Sequence, residues 1–194
     1  MKFLTKKRKT YLTIFFSSLL ILQQVAVYYG RTRSSRHEVV DENGNDRLAY
    51  SEINQLEELW NKAQVDSLLT LQTIGNPNAL YEARTRLQNV ERGIQQSQKR
   101  TEAVRGKKRD FFQKAYAYYR HAASTLIGII DFLLANKDKY SVYQTEISFD
   151  NDSDADTFRN LVGELTVIHQ EKKELDNFIA NHNQEVEQSL KHSR

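Results

Sequence analysis

A single proline, Pro77, stands among 194 residues, together with only seven glycines. Proline and glycine are the strongest local interrupters of regular structure, so their scarcity leaves room for long uninterrupted segments. The apolar residues in those segments recur at helical rather than strand spacing. Leu80, Ala83, Leu87, Val90 and Ile94 alternate steps of three and four with charged residues between them, a coiled-coil-like stripe. Ile53, Leu56, Trp60 and Ala63 keep the same spacing and predict an earlier helix over 49–74. The stretch GNPN, 75–78, ends it, with Gly75 suited to a C-terminal cap and Pro77 to a turn or a new start.

The stripe of the second helix fails at RGKKRD, 105–110. Gly106 suits the end of one helix and Asp110 the cap of the next, with Gln113 at the capping-box position. A hairpin is the expectation there, with one long kinked helix as the alternative. The third helix, 111–136, carries Phe111, Phe112, Tyr116, Tyr118 and Tyr119 and then aliphatic residues. Its segment LIGIIDFLL is too short to span a bilayer. In YSVYQTEISF, 140–149, the period changes: Tyr143, Thr145, Ile147 and Phe149 alternate with polar neighbours, as in a short strand or hairpin. DNDSDAD then offers caps and first-turn acids for a fourth helix, whose seam runs through Leu161, Leu165, Ile168, Lys172, Leu175, Ile179, His182, Val186 and Leu190. Three helices of about 27 residues, about 40 Å each, joined by short turns favour an antiparallel bundle.

The N-terminus is of a different kind. MKFLTKKRKT precedes YLTIFFSSLLILQQVAVYYG, about twenty mostly apolar residues, enough to cross a hydrocarbon core of ~30 Å as a helix. Five basic residues lie before this run and three soon after, which favours an N-terminus inside the cytoplasm. Eight of the 28 basic residues fall in 1–36, where no acid occurs; the remaining 20 face all 25 acids, a net charge of −5. A basic balance concentrated at the N-terminus points to a membrane address rather than to nucleic acid. A cleaved signal peptide is the alternative, although QQVAVYYG lacks an Ala-x-Ala site. Either form places 31–194 outside the cytoplasm. The absence of cysteine excludes disulfides, thiolate metal sites and cysteine nucleophiles.

The expected fold is therefore all-α: a signal-anchor helix within 1–30, a juxtamembrane linker over 31–52, and an extracytoplasmic three- to four-helix bundle over 53–194 with a short strand or hairpin near 140–149. No Gly-rich phosphate loop, HExxH pair, nucleophile elbow or paired-carboxylate motif is present, so an enzyme is not expected.

Two stretches carry finer expectations. DENGNDRLAYSE, 41–52, has oxygen-bearing side chains at alternate positions and a glutamate at the twelfth. It resembles the calcium loop of the EF-hand family. That resemblance implies ligands from Asp41, Asn43, Asn45, the carbonyl of Arg47 and Glu52, with Leu48 at the family's apolar position. Asp46 stands where the family has glycine. The resemblance implies one weak calcium site, a structural clip near the membrane. KRTEAVRGKKR, 99–109, gathers six basic residues at the tip between the second and third predicted helices. If the first helix leaves the membrane and the second returns beside it, Lys107, Lys108 and Arg109 meet anionic headgroups.

The region from LIGIIDFLLANKDKYSVYQTEISF to FRNLVGEL, 126–165 with its flanks, resembles certain uncharacterised Gram-negative envelope proteins. They share a long helix, a short strand ending in Ile-x-Phe and a closing helix. The resemblance implies a periplasmic or cell-surface location and no particular activity. The functional expectation is a membrane-anchored scaffold or protein-binding module that meets a protein partner, or itself, through its helical surface. A secreted calcium-dependent binding module, released by signal cleavage, is the alternative.

Overall fold

The computed structural model describes residues 45–102, 107–144 and 146–192. The candidate anchor at 11–30 and the loop positions Asp41 and Asn43 lie outside these residues. The described chain is mostly helical with one small sheet. Its elements are α1 (Asn45–Lys62), a 3₁₀ turn (Val65–Ser67), α2 (Leu71–Ile74), α3 (Pro77–Arg100), α4 (Lys107–Ala135), β1 (Tyr140–Tyr143), β2 (Glu146–Phe149) and α5 (Asp152–His192). Among the described residues, no helix is long and apolar enough to cross a membrane.

The long helices run antiparallel to their neighbours, as their cross-contacts show. On α1 and α3, Glu52 meets Arg100 at 2.8 Å, while Gln64, just past α1, accepts from Arg86 at 3.2 Å. On α3 and α4, Arg84 meets Asp131 at 2.6 Å and Ser97 meets Tyr116 at 2.8 Å. On α4 and α5, Phe111 stacks on Phe178, His121 lies 2.9 Å from Glu171, and Phe132 stacks on Phe158. In each pair the partner number falls as the other rises. One end of the bundle thus holds the start of α1 and the α3–α4 tip, and the other holds the Gly75 turn and the β-hairpin.

Helix α4 lies at the centre, touching α1, α3 and α5. Its sequence explains why. Ala115, Ala122 and Ala123 are buried together with Leu126, Ile129, Ile130 and Leu133. The small residues let neighbouring helices approach, and the branched ones fill the space between them. Another close approach occurs at Gly93 on α3, where an added Cβ would come within 2.1 Å of Leu59 Cδ2 on α1. All five residues of the predicted stripe, Leu80, Ala83, Leu87, Val90 and Ile94, are buried.

Several boundaries differ from the sequence expectation. The first helix does not continue to Ile74. It ends at Lys62, and Gln64 adopts a left-handed backbone (φ 54°). The break lets Val65, Leu68 and Leu69 turn into the core one after another, which a straight helix would not allow. Thr70 caps α2 by accepting from the Thr73 amide. At the GNPN stretch, Gly75 ends α2 with right-handed geometry, and Asn76 caps α3 with Pro77 in its first turn. The tip between α3 and α4 is a break, as the hairpin reading requires, but α4 starts at Lys107. Asp110 therefore sits within its first turn rather than at the cap. The expected equality of the first three helices fails: α1, α3 and α4 have 18, 24 and 29 residues.

Near 140–149 the chain forms an antiparallel hairpin pairing Tyr140 with Phe149 and Tyr143 with Glu146. Gln144 in the turn has φ 52°. The turn divides the predicted alternating face: Ile147 and Phe149 are buried against the bundle, whereas Tyr143 is 72% exposed. Thr145 lies outside the described residues. Tyr140 anchors the hairpin by donating to the Ile74 carbonyl at 2.7 Å. Helix α5 opens as its acids suggested, with Asn151 Oδ1 accepting from the Asp154 amide at 2.8 Å. Leu165, Ile168, Leu175 and Ile179 of its seam are buried, and Lys172 and Leu161 are half-buried.

Truncation of Leu87, which is fully buried, removes packing on α3 that its neighbours cannot refill. Leu87→Ala is expected to cost about 2–5 kcal/mol, whereas Tyr81→Ala, at a position 54% exposed, should stay within about 0.5 kcal/mol. Thermal unfolding followed by circular dichroism separates the two; equal losses would contradict the assigned seam.

Candidate functional site

The apolar stripe of α3 continues past Ile94 with two polar residues at the next seam positions, Ser97 and Thr101. Both are buried, at 1% and 6% exposure. Burying hydroxyls without partners is costly, and here each has one. Ser97 Oγ donates to Glu52 Oε2 at 2.6 Å and lies 2.8 Å from Tyr116 Oη. Tyr116 Oη in turn lies 2.9 Å from Thr101 Oγ1. Because Ser97 gives its one proton to Glu52, Tyr116 donates to Ser97. Thr101 then donates to Tyr116 or to the carbonyls of Ser97 and Gln98, both within reach.

Glu52 terminates this chain of hydroxyls. Its side chain is 5% exposed, and Arg100 clamps it from the solvent side, Nε to Oε1 and Nη2 to Oε2, both at 2.8 Å. The fork geometry gives two charge-assisted bonds in one plane. Arg100 holds the Glu52 carboxyl below the usual glutamate range; burial opposes this, and the Ser97 hydroxyl adds to it. Burial pushes the Tyr116 phenol up. The network therefore contains an ionised acid and a neutral phenol. Its serine is sealed from solvent and bonded to a carboxylate already committed to a guanidinium, so it is a structural clasp joining α1, α3 and α4 rather than a nucleophile.

This clasp involves only the last position of the 41–52 stretch, of which Asp41 and Asn43 lie outside the described residues. Asn45 and Arg47 lie in α1, so helix replaces the expected loop geometry from Asn45 onward. Glu52, expected to close a calcium loop with both carboxylate oxygens, spends both on Arg100 and Ser97. No group of three or more His, Asp or Glu residues able to hold a metal occurs among the described residues. Of the three basic tip residues, Lys107 and Lys108 lie in the first turn of α4, and Arg109 is exposed beside them.

A second polar belt crosses the middle of the bundle. Trp60 Nε1 donates to Asp66 at 3.1 Å, and its ring meets Tyr119 edge-on at 5.5 Å. Lys172 of α5 lies 6.0 Å above the Tyr118 ring and 2.5 Å from Asp176. Burial raises the Asp66 carboxyl, with the Trp60 bond and the Lys172 charge acting against it. Burial likewise pushes Asp176 up to about 7. Its neighbour Lys172 is itself only 17% exposed.

The sequence marks Tyr116 only as one of an aromatic set and does not mark Ser97 and Thr101. The signal was present, since a serine and a threonine continue an apolar three-four spacing, but their partners sit 45 and 15 residues away. No protein-family model, curated protein or solved structure matches this chain.

The two acids tilt stability in opposite directions with pH. Glu52 has a lowered folded pKa, so its contribution is present above the unfolded value and is lost as pH falls through the folded one. Asp176 has a raised folded pKa, so its contribution is present at low pH and is lost as pH rises through about 7. Melting temperature is expected to fall on both sides of a mildly acidic maximum. Glu52→Gln should flatten the acid limb and Asp176→Asn the neutral one; limbs unchanged in both variants would refute the assignment.

Proposed function

We propose that this chain is a single-pass, membrane-anchored scaffold or protein-binding module whose helical bundle stands outside the cytoplasm. The observation that carries the reading is the N-terminal run: five cations, then about twenty mostly apolar residues, then three more cations before the first acid. The described bundle supports it from the other direction. Its apolar residues form one continuous core, and no buried side-chain polar atom among the described residues lacks a partner. Such a body presents helical faces and a hairpin to its surroundings, with Tyr81, Tyr143 and Val167 exposed on α3, the hairpin and α5. A protein partner, or a second copy, is the ligand class that faces of this kind take. The 41–52 stretch would add one weak structural calcium site at the junction, with Glu52 exchanging its Arg100 and Ser97 partners for the ion.

The chain lacks cysteine, so a single introduced thiol reports topology without background. Ser141→Cys, on the exposed side of the hairpin, should react with a membrane-impermeant maleimide in intact cells or spheroplasts, and Thr5→Cys only after lysis. The protein should also resist alkaline carbonate extraction. Reversed labelling, or release into the carbonate supernatant, would overturn the proposal.

A further inference from the structure

We infer that β1 is a self-association edge: it pairs antiparallel with β1 of a second copy of this chain, about a two-fold axis at Ser141. The inference rests on the scaffold reading above and deepens it, naming a second copy as the partner and a strand edge as the surface.

The two outer edges of the hairpin differ. The Asp150 amide donates to the Lys139 carbonyl at 2.8 Å. With the observed register, the bonded pairs are therefore Lys139–Asp150, Ser141–Ser148 and Tyr143–Glu146, because bonded and non-bonded pairs alternate along an antiparallel ladder. Tyr140 and Val142 thus direct their N–H and C=O groups away from β2, and Ile147 and Phe149 direct theirs away from β1. The β2 side is enclosed, since β2 packs against α5 and Ile147 and Phe149 are buried. The β1 side is open. β1 packs along β2 and along no other described helix or strand, and no backbone bond reaches the outward groups of Tyr140 and Val142 among the described residues. Natural proteins blunt such edges with charge, proline or a bulge; the strand YSVY has none of these.

The residues of the strand fit a second β1. Pairing centred on Ser141 sets Tyr140 opposite Val142 of the second copy, and Val142 opposite its Tyr140, which forms four N–H···O=C bonds between the copies. Side chains alternate across a strand, and Ser141 and Tyr143 lie on the exposed face. On that face Ser141 meets itself across the axis without crowding. Tyr143, the most exposed large apolar residue among those described at 72%, stands opposite the exposed Lys139 of the second copy. Within each hairpin Glu146 lies beside Tyr143 and Asp150 beside Lys139. Each row across the joined sheet therefore runs Asp150, Lys139, then Tyr143 and Glu146 of the other copy, so the lysine meets a ring and no second cation. Each copy has one open edge, so pairing closes at two and does not propagate. An edge this short gives a weak contact in free solution, and a shared membrane supplies the local concentration that populates it.

Disulfide trapping of the full-length chain in liposomes tests this, since the chain has no cysteine of its own. Two Ser141→Cys copies meet at the axis as a non-bonded pair, about 4.5 Å apart at Cα and within disulfide reach. They should cross-link under mild oxidant. Tyr143→Cys alone should not, because its counterpart lies four residues along the strand, about 13 Å away; mixed with Lys139→Cys it should. Val142→Pro removes two of the four bonds between copies but none from the β1–β2 ladder. It should lower Ser141→Cys cross-linking at least about tenfold, with an unchanged thermal melt. Tyr143→Lys, at a largely exposed position, sets like charges opposite one another and should lower it too, whatever proline does to the hairpin. Equal cross-linking at positions 141 and 143, or cross-linking at 141 that ignores Tyr143→Lys, overturns the inference and leaves the anchored scaffold standing. Absence of the 141 cross-link at every protein-to-lipid ratio overturns it as well. The same pattern of cross-links in a concentrated solution of chain that alkaline carbonate extracts removes the anchor and upholds the strand pairing.

Discussion

The burial of α4 is the constraint on which the remaining architecture depends. A helix touched by α1, α3 and α5 needs apolar or small residues over most of its circumference, and the run from Phe111 to Leu133 supplies them. Its composition also grades along its length. Aromatic residues dominate near the tip, where Phe111 stacks on Phe178 and Phe112 on Tyr116. Alanines and branched aliphatics follow, and Phe132 then joins Phe149 and Phe158 beneath the hairpin.

Apolar packing alone leaves the sliding of antiparallel helices weakly specified, because one turn of an apolar stripe resembles the next. The Glu52–Arg100–Ser97–Tyr116–Thr101 network supplies what the stripe lacks. A slip of one turn between α1 and α3 would part Glu52 from Ser97 and Arg100 and leave a buried carboxylate unpaired. The Arg84–Asp131 pair links α3 to α4 at the far end, and the Trp60–Asp66 bond ties the 3₁₀ turn back to α1. Polar residues placed within an apolar seam thus fix alignment, and aliphatic residues supply most of the cohesion.

This division also locates the chain's entry point. Glu52 is seven residues from the start of α1, and its clamp ties that start to the basic tip. The hairpin end is held a helix length away.

The sequence by itself determined the helical character, the α3 seam, the interruption at Gly75–Pro77, the change of period near 140–149 and the helix start at Asn151–Asp156. These depend on local spacing, on backbone restrictions of individual residues, and on side-chain bonds that span three or four positions. The tertiary structure decided the left-handed break at Gln64, since only the core beneath Val65, Leu68 and Leu69 makes that conformation worthwhile. It also decided which side of the hairpin Tyr143 occupies, because the turn position depends on how Ile147 and Phe149 dock. Above all it decided the protein partners of Glu52. Within its own segment this glutamate reads as the last ligand of a metal loop. It becomes a clasp because folding brings Arg100 and Ser97, from more than forty residues away, to both of its carboxylate oxygens.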